Sequence, residues 1–266
     1  MKRRNILIGF LCALAINSSL FFVTDAKALT PARGCTVILD ALTGKQLVRK
    51  GDCDQRFSPA STFKMILALI GFDAGILQDQ DKPVFKKKGK TVTPEIWLRD
   101  SILWYSFEVT KQLGQKRFTD YIRKLHYGNM DVSGDPGKNN SLTQSWIDSS
   151  LKISPDEQAA FVLKLFKCDL PVSKEACKKL WASLPQFQAA DSWFVRGKTG
   201  TVAYRSGVAK QYRLRTGWFI GEAVHKDGTA VVFATTDHQP KNDKQPEGPR
   251  VRDKFLAELD NLVSTP

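Results

Sequence analysis

The chain has 266 residues, with 40 Lys and Arg against 27 Asp and Glu, giving a formal charge of +13. That length suits one large domain or two fused lobes. The basic residues are scattered, with no long Lys/Arg block, repeat or Pro/Gly-rich linker. The excess charge therefore reads as a solvated basic surface rather than a nucleic-acid site.

The chain opens MKRRNILIGFLCALAINSSLFFVTDAKA. Lys2, Arg3 and Arg4 precede an apolar run that ends at Ala26-Lys27-Ala28. This grammar predicts a secretory signal over 1–28, with a retained anchor as the alternative. Asn17, Ser18 and Ser19 interrupt the run and favour cleavage. Residues 29–266 then form the exported domain, in a compartment that permits disulfides.

The segments CTVILDA and KQLVRK predict an antiparallel hairpin turning at Gly44, which places Cys35 opposite Cys53. Cys168 and Cys177 flank Pro171 and form a second plausible pair; free buried thiols are the alternative for both. From about 59 to 184 the chain reads helical. Ser58-Pro59 has the form of a serine N-cap with proline in the first turn. Ser154 with Glu157 fits a capping box, and FTDYIRKLHYG ends on a glycine stop. WFVRGKTG, RTGWFIGEAV and TAVVFATTD predict three more strands. Residues 250–262 predict an amphipathic closing helix on Val251, Phe255, Leu259 and Leu262. The expected fold is α/β (α+β): an antiparallel sheet from both ends of the chain, flanked by helices, with a helical lobe inserted and a cleft between.

Four short motifs carry chemistry. Ser61-Thr62-Phe63-Lys64 places a hydroxyl and an amine one turn apart on a helix. Serine is a poor nucleophile without a base, and a lysine becomes a base when burial lowers its pKa, by as much as ~3–5 units. The apolar run from Phe63 to Phe72 supplies that burial; a lysine snorkelling to the lobe surface is the alternative. The same spacing recurs at Ser149 and Lys152 in a more polar setting. Ser101-Ile102-Leu103 lies in a segment read as helical, Tyr127-Gly128-Asn129 follows a helix, and Lys198-Thr199-Gly200 ends a strand. A lysine and a hydroxyl on an edge strand can bind a carboxylate, and the glycine admits substrate close to the backbone. The histidines at 126, 225 and 238 lack metal-ligand spacing, so no metal is expected.

Taken in order, Ser-x-x-Lys, Ser-x-aliphatic, Tyr-Gly-Asn and Lys-Thr-Gly resemble the penicillin-recognising serine enzymes, and most closely the class D serine β-lactamases (oxacillinases). The likeness spans Cys35 to the last helix, and is densest in SPASTFK, LHYGNMDVSGD, WIDSSLKISPDEQ and GKTG…TGWFIG. It implies hydrolysis of β-lactam antibiotics in the periplasm, with Ser61 as nucleophile and no cofactor beyond CO₂ or bicarbonate, which carboxylates Lys64 into the general base. It further implies Trp146 as donor to that carbamate and Ser101 as proton relay. Lys198, Thr199 and Gly200 line the pocket, and the backbone N–H groups of Ser61 and Thr201 form the oxyanion hole. Arg252 clamps the substrate carboxylate, with Arg250 as fallback. Tyr127 and Asn129 shape the cleft. Leu103 stands where the family has valine, which puts turnover in question more than acylation. The segment VAYRSGVAKQYRLR should border the pocket. The implied partner is a small β-lactam, with neither nucleic acid nor membrane after leader removal, acting as monomer or homodimer. The competing readings are a β-lactam sensor or penicillin-binding protein that stays acylated, and a non-catalytic envelope-binding module.

Overall fold

The alternation that marks strands at both ends of the sequence belongs to one six-stranded sheet. The computed structural model describes residues 34–190, 192–203, 214–240 and 245–264. The expected leader over 1–28 and most of the VAYRSGVAKQYRLR segment lie outside these residues.

The sheet begins with β1 (Cys35–Asp40) and β2 (Gln46–Gly51), a hairpin that turns through Gly44 at φ +78°, where a Cβ is disfavoured. Asp40 closes the turn by accepting from the backbone N–H of Thr43 at 2.6 Å. Four strands come from the other end of the chain: β5 (Gln186–Ala189), β6 (Trp193–Ala203), β7 (Leu214–His225) and β8 (Ala230–Pro240). Their order across the sheet is β2-β1-β8-β7-β6-β5, antiparallel throughout. Strand periodicity divides the side chains between two cores. Ile38, Phe219 and Phe233 face the closing helix α7 (Glu247–Ser264), which buries Val251, Phe255 and Leu259 against them. Val37, Trp218 and Ile220 face the inserted lobe.

The lobe is built around α1 (Phe63–Asp73), in which every residue from Phe63 to Phe72 is buried, Lys64 included. A helix apolar on all sides needs cover on all sides. Here α3 (Leu103–Lys124) and α6 (Lys174–Ser183) pack directly on it. Short helices α2 (Pro94–Arg99) and α4 (Ser141–Gln144) and the longer α5 (Pro155–Phe166) complete the lobe. Ser154 and Glu157 form the expected capping box at the start of α5. The lobe is less purely helical than the sequence predicts. Phe85–Lys87 (β3) and Lys90–Val92 (β4) form a small hairpin within it. The α3 terminus also differs: the left-handed stop falls on His126 at φ +49°, before Gly128.

Cys35 and Cys53 are bridged, 18 residues apart. Cys168 and Cys177 are free thiols, which is the alternative the sequence left open. Burial, followed by the neighbouring Cys168, pushes the Cys177 thiol up to about 12. Closing a loop of that size removes unfolded-state entropy, so replacing Cys35 and Cys53 together by serine should cost about 3 kcal/mol on the chain-entropy model. Urea denaturation of the variant checks this, and reduction of the parent should lower its midpoint to the same extent.

Candidate active site

The turn ahead of α1 is where the sequence and the structure differ most usefully. Ser58 does not cap the helix. Ala60–Thr62 form a 3-10 turn first, and α1 begins with Thr62 as its N-cap and no side-chain cap bond. The Ser58 hydroxyl instead donates to the backbone carbonyl of Trp146 at 2.7 Å and accepts from the Asp148 N–H at 2.9 Å. Ala60 N–H donates to the same Trp146 carbonyl at 3.1 Å. Ala60 holds φ +47°, a left-handed conformation that costs a non-glycine residue ~1–3 kcal/mol. The strained residue directly precedes Ser61, and the Trp146 carbonyl is what it leans on.

Ser61 Oγ and Lys64 Nζ are 2.8 Å apart, and Lys64 is 1% exposed. Burial alone lowers the Lys64 pKa from 10.5 to about 7. The amine therefore sits at hydrogen-bond distance from the hydroxyl and is neutral in roughly half of the molecules at neutral pH, the state in which its lone pair can take the hydroxyl proton. Lys198 lies buried on β6 with its pKa also lowered to about 7, first by burial and then by the charges of Lys64 and Arg252. The Ser149–Lys152 repeat of the motif behaves otherwise: Ser149 Oγ donates to Asp135, and Lys152 is exposed in an irregular segment.

The strand edge meets the turn because β5 is short. It pairs only with Trp193–Arg196, so among the described residues β6 from Gly197 onward has no strand on that side. Gly200 lies against the turn, where a Cβ would stand 3.0 Å from the Pro59 carbonyl oxygen and 3.1 Å from Thr62 Cγ2. Lys198 Nζ donates to the Thr199 carbonyl at 3.1 Å. Thr201 Oγ1 accepts from Gly248 N–H at 2.9 Å, which ties the strand to the start of α7.

Trp146 is fully buried, stacked on Phe63 at 5.2 Å between ring centroids, and its indole N–H has no hydrogen-bond partner among the described residues. A buried donor left unmade is costly, so this N–H is suited to an acceptor supplied from elsewhere. Ser101 is not helical as expected. It occupies the turn between α2 and α3 at φ +55°, and Leu103, 43% exposed, is the first residue of α3.

Arg252 lies with its guanidinium 4.9 Å from the Phe187 ring centroid and paired to its neighbour Asp253. Arg250 pairs with Asp237 at 2.8 Å, and its Nε and Nη2 are buried. Of the two, Arg252 bears on Lys198.

Tyr127 is wholly buried, packed on Phe63 and edge-on to Phe161. Asn129 is committed to the backbone of 150–152, donating to the Ser150 carbonyl at 2.8 Å and accepting from Lys152 N–H at 3.0 Å. Both brace the lobe. Sequence reasoning missed Ser58, whose hydroxyl was read as a cap, and Phe187 beneath Arg252; neither carries a motif.

A buried lysine beside a serine at a helix start, facing a Lys-Thr-Gly strand edge, defines a serine acyl-transfer site of the penicillin-recognising kind. The family model for the penicillin binding protein transpeptidase domain matches residues 34–259. Beta-lactamase OXA-9 of Klebsiella pneumoniae is 44% identical over 241 residues, covering 86% of this chain and 88% of that protein. Beta-lactamase OXA-1 of Escherichia coli is 34% identical over 247 residues, covering 87% of each. The crystal structure of the OXA-427 class D β-lactamase superposes with a TM-score of 0.76 at 37% identity, covering 86% of this chain and all of that one. The chain belongs to the class D β-lactamases, serine hydrolases of the β-lactam ring.

Lys64 makes stability depend on pH. Its pKa is about 7 folded against an ordinary 10.5. Between those values the unfolded chain binds a proton that the native state lacks, so the lysine's contribution improves as pH rises. Its cost is complete below pH 7 and gone above pH 10.5. In CO₂-depleted buffer, Lys64→Met should therefore exceed the parent in stability most at low pH, the gap closing as pH climbs through that window. Denaturation at several pH values measures it; a gap independent of pH would contradict the burial.

Proposed function

We propose that this chain opens β-lactams through an acyl-enzyme on Ser61, with Lys64 carboxylated by CO₂. The observation that carries the reading is the 2.8 Å contact between Ser61 Oγ and a fully buried Lys64 amine. Carboxylation requires a neutral amine: its lone pair forms the N–C bond to CO₂, a C=O pair moves onto oxygen, and a proton leaves to solvent. Burial supplies the neutral amine. The resulting anion needs donors, and the unpartnered Trp146 indole N–H fits that need. When present, the carbamate supplies the general base.

The remaining steps fall to the chain's own residues. Ser61 Oγ gives up its proton on the Lys64 side and attacks the lactam carbonyl. The N–H groups of Ser61 and Thr201 receive the developing oxyanion. The C–N bond breaks, and Ser101 passes a proton to the leaving nitrogen. Water then attacks the ester, releasing the ring-opened acid and restoring Ser61. Lys198, Thr199 and Arg252 hold the substrate carboxylate beside the edge of β6. Leu103 at the start of α3 borders the approach, where it would slow the entry of CO₂ or of the deacylating water. No second copy of the chain is required, so the scheme serves a monomer or a homodimer.

The leader over 1–28 places this chemistry in the periplasm after cleavage. Among the described residues no helix is long and apolar enough to cross a membrane.

Intact-protein mass spectrometry after mixing with a penicillin should show a transient adduct that disappears as the drug is consumed. A persistent adduct would instead indicate a sensor. Ser61→Ala should form no adduct and lose at least about a thousandfold in kcat. Hydrolysis of a chromogenic cephalosporin should slow in CO₂-depleted buffer and recover on adding bicarbonate; a rate indifferent to bicarbonate would overturn the carboxylated lysine.

A further inference from the structure

The Ser58 hydroxyl does something the start of α1 does not need. It is 2% exposed, yet it bonds neither the helix nor the nucleophile. Both of its hydrogen bonds cross 88 to 90 residues of sequence to the segment carrying Trp146: it donates to the Trp146 carbonyl and accepts from the Asp148 N–H. The backbone directly after the indole, from the Trp146 carbonyl to the Asp148 N–H, is thus held by one hydroxyl. The Ser58 carbonyl makes a separate bond, accepting from Trp218 Nε1 of β7 at 3.1 Å, which does not involve the hydroxyl. Ala60 N–H is the second donor to the Trp146 carbonyl. The indole whose N–H is unpaired is therefore referenced, by two short hydrogen bonds, to the same turn that carries Ser61.

We propose that Ser58 is a positioning residue for lysine carboxylation: by clamping the backbone at Trp146 and Asp148 it holds the Trp146 indole N–H where a carboxylated Lys64 can use it. The proposal rests on the carbamate reading given above. Ser58 touches neither substrate nor carbamate and acts through Trp146. Outer partners of this kind, which orient a group that binds directly, are commonly worth about 10–100-fold in affinity. The ligand concerned is CO₂, so the effect should be on CO₂ affinity and not on the chemistry once the lysine is loaded.

The test is a titration of the full domain with isotopically enriched bicarbonate, following the carbamate carbon by NMR and, in parallel, kcat. Ser58→Ala should raise the bicarbonate concentration for half-maximal signal by about tenfold, with kcat returning to near the parent value at saturating bicarbonate. Trp218→Phe removes the indole bond to the Ser58 carbonyl but leaves both hydroxyl bonds in place, and should keep the parent half-point. An unchanged half-point in Ser58→Ala overturns the proposal. So does an equal shift in Trp218→Phe, which would mean general loosening, or a loss of kcat that bicarbonate does not restore. Should Ser58→Ala fail to fold, Ser58→Cys, close to serine in size and a weak donor, is read by the same criteria. If the parent shows no carbamate signal, the carboxylated-lysine reading falls, and this proposal with it; a parent signal with an unshifted Ser58→Ala removes only the proposal.

Discussion

An amine buried beside a hydroxyl is the constraint that the rest of the molecule serves. Lys64 is enclosed on every side, and enclosure is what lowers its pKa to about 7. In water the same lysine would be a cation with no capacity to accept a proton. Lys198, a second buried lysine across the site, has its own positive charge made costlier by that of Lys64. The apolar helix α1, buried along its length, cannot tilt to bring the amine to solvent without breaking the lobe core.

The sheet's part is to bring a strand edge to that turn. Among the described residues the short β5 leaves the Lys198–Thr201 stretch of β6 without a strand partner on that side, and glycine at 200 lets the turn approach the strand backbone. On the other side of the sheet, α7 is tied to the same stretch through Gly248 and Thr201. Its packing against Phe219 and Phe233 therefore bears on the position of the strand edge. The strain at Ala60 fits the same design, since a left-handed alanine persists only where surrounding contacts hold it, and the carbonyl of Trp146 provides one.

Legibility in the sequence followed the range of the forces involved. Local grammar read well: the Gly44 hairpin, the Ser154 capping box and the three long C-terminal strands depend on neighbours in sequence. The Ser61–Lys64 pair was readable because one helical turn sets its spacing. Ser58-Pro59 shows where this fails. The pattern is correct helix-start grammar, but a carbonyl 88 residues away competed for the hydroxyl and won. Ser101 was misread for a related reason: its left-handed turn sits between two helices whose residues have ordinary helical propensity. The β3–β4 hairpin lacks apolar alternation because its lysines are solvated, and β5 is only four residues long. The motif at Tyr127-Gly128-Asn129 does not itself show that Tyr127 is buried or that Asn129 bonds the Ser150 carbonyl, since both depend on packing with distant parts of the chain.

A direct measurement of the amine decides whether this ordering of causes is right. Lysine side chains enriched at Cε can be titrated by NMR in CO₂-free buffer, with the resonance of position 64 assigned by its loss in Lys64→Met. The account predicts a midpoint near 7, well below the ordinary lysine value. A midpoint near the ordinary 10.5 would show a solvated cation at that position and contradict it.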